Sequence, residues 1–336
     1  MTKEFLFLCG RIRALEAKLL THAQIDRMVG AKSPEEAFRV LTELQYAEDF
    51  DEATRPQDFF KIIKRGLLET KSMITSGTDN DSAFEFIWKE YDLSNLKRAL
   101  KLKLLDKATG LGSFSESDGF AFLGSLTVQE IEAAIFQGET HMLPREYREA
   151  LIESEKQFVE TGAFRSIEFI LDRAHFDFLK RVANSHRMPI LKELLKLLAD
   201  TTNLRSVARC VLIWNEKMPE EAVLPHGTID TEMLVTIDSL QSLKAVFHAH
   251  PFFERFEKTL EEKVSPEELL IRLERQMHSA KIEWLSEQEA GDIGTIIVPM
   301  TYFQKRIRNA SRIRFVMAAK FYGIEPEKIY ETLKHF

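Results

Sequence analysis

A chain of 336 residues, 44% hydrophobic and 29% charged, is long enough for two or three domains with cores of their own. Its net charge of −7 argues against a general nucleic-acid binder, and two cysteines, Cys9 and Cys210, rule out a disulfide framework. Only 14 Gly and 10 Pro disfavour a turn-rich sheet architecture, while 25 Phe against 6 Tyr point to packing area rather than polar contacts.

In chain order, Phe5, Leu8, Cys9, Ile12, Leu15 and Leu19 step at three and four residues and predict an amphipathic helix. Its apolar start is too short for a signal-peptide core or a membrane span, and no later window approaches the roughly 18 apolar residues that a span needs. A soluble, cytoplasmic chain is expected, meeting a membrane only through a partner. "SPEEAF" follows, with Ser33 as N-cap, Pro34 at the first helical position and Glu36 closing a capping box. Loop composition marks 75–82. "FEFIWKEYDLSN" then carries an apolar helix to Asp92, read as the N-cap of a new helix over "NLKRALKLKLL".

After loop material at 109–119, Thr127 and Glu130 form a second capping pattern. "ELLKLLADTTN" repeats the earlier arrangement and makes Asp200 the cap of "NLRSVARCVLI". Loops are expected at 216–229 and 286–294, with Ser265, Pro266 and Glu268 starting a helix between them. "TIIVP" (295–299) is the one β-branched run and too short to build a sheet. Gly323, with Pro326 beyond it, ends the next helix. Cys9 and Cys210 fall in apolar helical patterns and read as buried thiols. The predicted fold is all-α.

The helix starts recur. Asn203 and Asn309 follow Asn95 at intervals of 108 and then 106 residues. Four, seven and ten residues past each Asn stand Ala99, Leu102, Leu105; Val207, Cys210, Ile213; and Ile313, Val316, Ala319, one predicted buried stripe. The third copy departs upstream, where Arg306 stands in place of the Asp. Three similar helical lobes follow, at 1–115, 116–222 and 223–336, with pseudo-threefold character. Such a shape suits a body seated on something of rotational symmetry better than an enzyme with one active site.

Chemical motifs are sparse. "GAKSPEEA" lacks the spacing of a phosphate-wrapping loop, and "HAHPFFE" supplies too few ligands for zinc. Neither a catalytic residue, nor a cofactor, nor a metal site is expected. The basic helix faces stand out: Lys97, Arg98, Lys101 and Lys103 on the first repeat, Arg205 and Arg209 on the second, and Arg308, Arg312 and Arg314 on the third. They are either solvated faces whose aliphatic stems cover apolar surface, or docking surfaces for one acidic partner. RNA binding is disfavoured, because no aromatic platform interleaves these residues.

Several stretches resemble the C subunits of V/A-type ATPases, relatives of the d subunits of eukaryotic V-ATPases. They are Arg11, Arg13–Glu16, Leu19 and Leu20 of the opening helix, then Leu41 and Tyr46, "YDLSNLKRALKLKLL", and the closing "RIRNASRIRFVMAAKFYGIEPEKI". The resemblance spans the chain. It implies a funnel-like, non-catalytic rotor component built of three helical lobes, joining the central stalk to the membrane proteolipid ring for proton or sodium transport. The chain would then be peripheral to the membrane through its complex. A helical adaptor of another assembly is the alternative.

Overall fold

The computed structural model describes residues 5–43, 55–79, 81–105, 121–186, 188–250, 252–290 and 294–334, without the side chains of 255, 257 and 290. Tyr46, the 109–119 stretch, the boundary at 115/116 and part of the 286–294 stretch lie outside those residues. Contacts divide the chain into two compact units, Met1–Phe84 with His278–Phe336, and Glu85–Met277.

Unit one opens with α1 (Leu6–Glu16), α2 (His22–Gly30), α3 (Pro34–Glu43) and α4 (Phe59–Ser76). Unit two carries α5 (Glu85–Leu104), α6 (Val128–Glu132), α7 (Arg145–Thr161), α8 (Phe164–Ser185), α9 (Pro189–Arg209), α10 (Thr231–Thr236), α11 (Leu240–Ala249) and α12 (Glu257–Leu260). Helix α13 (Pro266–Ala290) runs from unit two into unit one, which closes with α14 (Ile297–Phe321) and α15 (Pro326–Leu333). No β-strand occurs among the described residues, so the chain is all-α.

Local chemistry sets the helix starts. Ser33 Oγ accepts from the Glu36 N–H at 3.3 Å, while the Glu36 carboxylate reaches back to the Lys32 N–H at 2.7 Å. Ser265 receives the Glu268 N–H at 3.2 Å, and Thr127 with Glu130 completes a reciprocal box. Thr21 with Gln24 and Ser239 with Ser242 add two more. At the end of α14, Gly323 takes φ 64°, and the Ile324 N–H returns to the Ala319 carbonyl at 2.9 Å. The β-branched run at 295–299 leads into α14, with Pro299 in the first turn, where no intrahelical N–H is required. Helix α13 continues through 286–290, which composition reads as loop.

Helix α14 is the core of unit one. It packs against α1, α2, α3 and α4 and buries Phe303, Ile307, Ala310, Ile313 and Met317. In unit two α8 packs against α5, α7 and α9, around a core that includes Leu96, Leu100, Ile131, Tyr147, Leu151, Ile167 and Leu171. The stripe predicted from the repeat holds at Ala99, Val207 and Ile313, all fully buried, but Leu105 and Ile213 are exposed.

The two aspartates are not helix caps. Asp92 and Asp200 both lie inside continuous helices, α5 and α9, and are almost completely buried. Their carboxylates fasten a loop that returns from further along the chain. Asp92 Oδ1 accepts the Leu126 N–H at 2.9 Å; Asp200 Oδ1 accepts those of Thr228 and Ile229 at 2.8 and 3.0 Å. One turn on, the Asn95 and Asn203 amides donate to the Ala121 and Leu224 carbonyls at 2.9 and 3.0 Å. A glycine packs onto each carboxylate: a Cβ on Gly124 or Gly227 would lie 2.3 or 2.1 Å from the Asp oxygen. Each fastened loop then runs straight into a capped helix, α6 from Thr127 and α10 from Asp230. Burying a carboxylate in mid-helix is tolerable because it is satisfied: Asp92 by the Leu126 N–H and the buried Lys89 ammonium at 2.8 Å, Asp200 by two backbone N–H groups and the Thr228 hydroxyl.

A candidate docking cleft

Helices α5, α8 and α9 enclose a cleft of about 550 Å³ in unit two. It brings together five of the nine basic residues singled out in the sequence: Lys97, Arg98 and Lys101 from α5, and Arg205 and Arg209 from α9. Helix α8 supplies Glu168, Asp172 and His175 to the same walls.

The i, i+4 spacing on α5 matches that on α8, so two cations meet two carboxylates. Lys97 Nζ lies 2.6 Å from Glu168 Oε2 and 2.8 Å from Asp172 Oδ1, and Lys101 closes on the other Glu168 oxygen. Burial pushes the Glu168 carboxyl up, but Lys97 and Lys101 together outweigh it and hold the group down at about 2. Beside them, burial lowers the His175 imidazole to about 4, so at pH 7 it is neutral, and its Nδ1 shares a hydrogen bond of 2.7 Å with the Tyr147 hydroxyl. Lys103 pairs with Glu155 at 2.6 Å.

The second central helix repeats part of this pattern. Arg209 pairs with Glu274 at 2.7 Å; Arg209 follows Lys101 by 108 residues and Glu274 follows Glu168 by 106. Arg205 is the counterpart of Lys97, and the position matching Asp172 holds His278. Among the described residues Arg205 has no ion-pair partner. The lining therefore carries five cations against the carboxylates of Glu90, Glu168 and Asp172, an excess of positive charge in a concave, partly dehydrated setting.

Arg308 and Arg312 are not part of this cleft. They lie one turn apart on α14 in unit one, where burial lowers both guanidinium pKa values. Arg308 lowers that of Arg312 further, and Glu283 partly restores that of Arg308. In "HAHPFFE", His250 Nε2 meets the Thr228 hydroxyl at 3.1 Å. No group of three or more metal-ligating side chains is assembled among the described residues. Cys9 and Cys210 are buried free thiols, raised to about 11 by burial. No described helix is long and apolar enough to cross a membrane.

Glu168, Asp172 and Glu274 were not singled out from the sequence, although Glu274 follows Glu168 at 106 residues, within two of the interval from Asn95 to Asn203.

Comparison with known proteins places these features in a family. The family described as ATP synthase (C/AC39) subunit matches residues 8–332. The chain is 24% identical to the C subunit of the A-type ATP synthase of Thermococcus kodakarensis, covering 96% of this chain and 88% of that protein. It is also 24% identical, with the same coverage, to the C subunit of the A-type ATP synthase of Desulfurococcus sp.. The C subunit of the V-type ATP synthase of Deinococcus radiodurans is 20% identical over 72% of this chain and 66% of its own length.

Proposed function

Because the chain belongs to the ATP synthase (C/AC39) subunit family, we propose that it is the C subunit of a V/A-type complex, a non-catalytic rotor part between the central stalk and the membrane proteolipid ring. The observation that carries this reading is the recurrence of one stiffening device on successive central helices. A buried Asp and Asn fasten a returning loop, and a basic residue further along the helix pairs with a carboxylate of another long helix. A torque-bearing body needs such fixed packing, since densely packed helices deform little and locally unstable segments would dissipate rotation as unfolding. The device is present in two of the three copies, and we further propose three similar lobes, the third departing at Arg306, which would share load on a symmetric ring.

Within that role the two central helices divide the work. Lys97 and Lys101 are held by acids of their own unit and brace α5 against α8. Arg205 is the part of the cleft available to an acidic surface of the stalk, with Arg209, held by Glu274, beside it. Charge at such a rim governs approach and register more than final affinity. Reversing both charges, R205E with R209E, is expected to slow association with the stalk subunits about tenfold and to flatten its dependence on salt. Stopped-flow mixing at two ionic strengths checks this; an unchanged rate would make these arginines ordinary solvated surface.

The reading as a whole is tested by mixing the purified chain with central-stalk subunits at low salt. A stoichiometric complex that co-elutes, without ATPase activity from this chain alone, is expected. Separate elution, or hydrolysis by the chain itself, would contradict it and favour an adaptor of a different assembly or an enzyme.

A further inference from the structure

Beside Arg205 the cleft of unit two adjoins a smaller pocket of about 190 Å³, lined by Phe164 and Phe169 of α8 and by Arg205, Ser206, Arg209 and Trp214. Trp214 reaches it through a change of helix type. Arg205 and Arg209 stand four residues apart on α9, so they share a face. The chain then makes a π turn over Cys210–Trp214, whose last bond runs from the Asn215 N–H to the Cys210 carbonyl. A π turn closes over five residues rather than four, so Trp214, five after Arg209, takes the next place on that face. Asn215 leaves the turn at φ 54°, a left-handed conformation that Asn adopts more readily than most residues. Single π turns of this kind are frequent at functional sites. The walls are fixed from behind: Phe164 packs on Phe158 with ring centroids 4.6 Å apart, and Glu216, just past the turn, pairs with Arg165 of α8.

The charges of the lining reduce to one. Lys101 is held by Glu168, Arg165 by Glu216 and Arg209 by Glu274, while Asp172 is met by Lys97. Arg205, half-buried, is left without an ion-pair partner among the described residues. One uncompensated guanidinium matches one carboxylate, with the Ser206 hydroxyl beside it as a further donor. A doubly charged phosphoryl group would bring more negative charge than the pocket balances. The three aromatic side chains match a large apolar group next to that carboxylate. At its size the pocket falls below the roughly 300–1,000 Å³ of small-molecule sites, so it admits a side chain rather than a whole ligand. It shares Lys101, Arg205 and Arg209 with the larger cleft, so a peptide segment lying in the cleft can place a side chain in it. Trp and Arg are also the residue types that most often carry binding energy at interfaces.

We propose that this pocket anchors an acidic partner segment through two adjacent groups, a carboxylate on Arg205 and a large apolar side chain against Phe164, Phe169 and Trp214. Given the docking role of the cleft, on which this rests, the stalk segment carries an acid flanked by an aromatic residue or a leucine. Arg205 then governs arrival, and the aromatic wall governs departure. Association and dissociation of the full-length chain and the central-stalk subunits are followed by stopped flow for W214A, S206F and W214F. W214A removes part of the wall and S206F fills the pocket. Each is expected to speed dissociation about tenfold with association rate and salt dependence unchanged, while W214F stays within about twofold of the unaltered chain. In parallel the tryptophan emission of the full chain is titrated with N-acetyl-Glu-Phe amide, N-acetyl-Gln-Phe amide and N-acetyl-Glu-Ala amide. A saturable shift with the first, about tenfold weaker with the other two and absent from W214F, is expected. Unchanged dissociation in both W214A and S206F, with circular dichroism showing them folded, overturns the pocket and leaves the docking role of the cleft standing. Stalk subunits that do not bind at all remove that role, and emission indifferent to all three peptides then overturns the pocket as well.

Discussion

Replacing Asp200 with Ala is expected to lower the free energy of unfolding by about 4 kcal/mol, among the largest effects any single substitution in unit two should produce. The carboxylate accepts the Thr228 and Ile229 N–H groups and the Thr228 hydroxyl, the last at 2.6 Å. Removing it leaves the part-buried Thr228 and Ile229 N–H groups without their acceptor, each costing about 1–3 kcal/mol. Gly227→Ala should act on the same lock from the other side, because its Cβ would sit 2.1 Å from Asp200 Oδ1 and push the carboxylate off its donors. A loss of about 3 kcal/mol is expected there. The two changes should not add. Once the carboxylate is gone the new methyl group meets no oxygen, so the double variant should be scarcely less stable than D200A alone. Urea denaturation of all four proteins measures this. Additive losses would mean that the glycine is required for some other reason.

The second large effect concerns pH. Burial pushes the Glu168 carboxyl up, yet Lys97 and Lys101 depress its folded pKa from the ordinary carboxylate range to about 2. Its contribution to stability is therefore complete above the unfolded value near 4.5 and is lost as pH falls from there towards 2; it amounts to about 3 kcal/mol. His175 is also depressed, to about 4, by burial. Being neutral in the folded state, it stabilises fully above its unfolded value near 6.5, and this contribution falls away between there and pH 4. Unfolding free energy should thus decline in two stages on acidification. In E168Q the lower stage, between about 4.5 and 2, should flatten, and stability at pH 7 should fall by about 3 kcal/mol because Lys101 loses its partner. Persistence of the lower stage in E168Q would show that other carboxylates carry it.

Much of the fold was legible because its signals are local. The caps at Ser33, Thr127 and Ser265 and the left-handed stop at Gly323 depend on residues within a few positions of one another. The periodic spacing of the asparagines was also informative, since it marks the two loop-fastening helices correctly. The role of Asp92 and Asp200 was misread for a physical reason. Aspartate before a run of helical residues is the usual sign of an N-cap, and nothing nearby shows that the helix read up to each Asp continues through it unbroken. Their true partners stand 28 to 34 residues downstream, and a glycine's value there lies in the space it leaves. Arg306 presents the opposite case. As a departure from the repeat it reads as erosion, yet the structure buries it with a hydrogen bond to the Gly66 carbonyl of α4, which no sequence interval could indicate.

The basic residues were legible as a set but not in their individual states. Lys97 and Lys101 are neutralised by Glu168 and Asp172, side chains some 70 residues away on α8. Arg205 differs because the matching acid is absent from its copy. Only the tertiary pairing of helices separates a bracing cation from one left to meet a partner.

The central claim is mechanical coupling, and reconstitution measures it most directly. ATP hydrolysis and ATP-driven ion uptake are followed together in proteoliposomes carrying the complete V/A-type complex, the complex depleted of this chain, and the depleted complex with the chain restored. The account predicts that depletion leaves hydrolysis running while uptake collapses, and that restoring the chain recovers uptake in proportion to the amount bound. Ion uptake that continues undiminished in the depleted complex would contradict it.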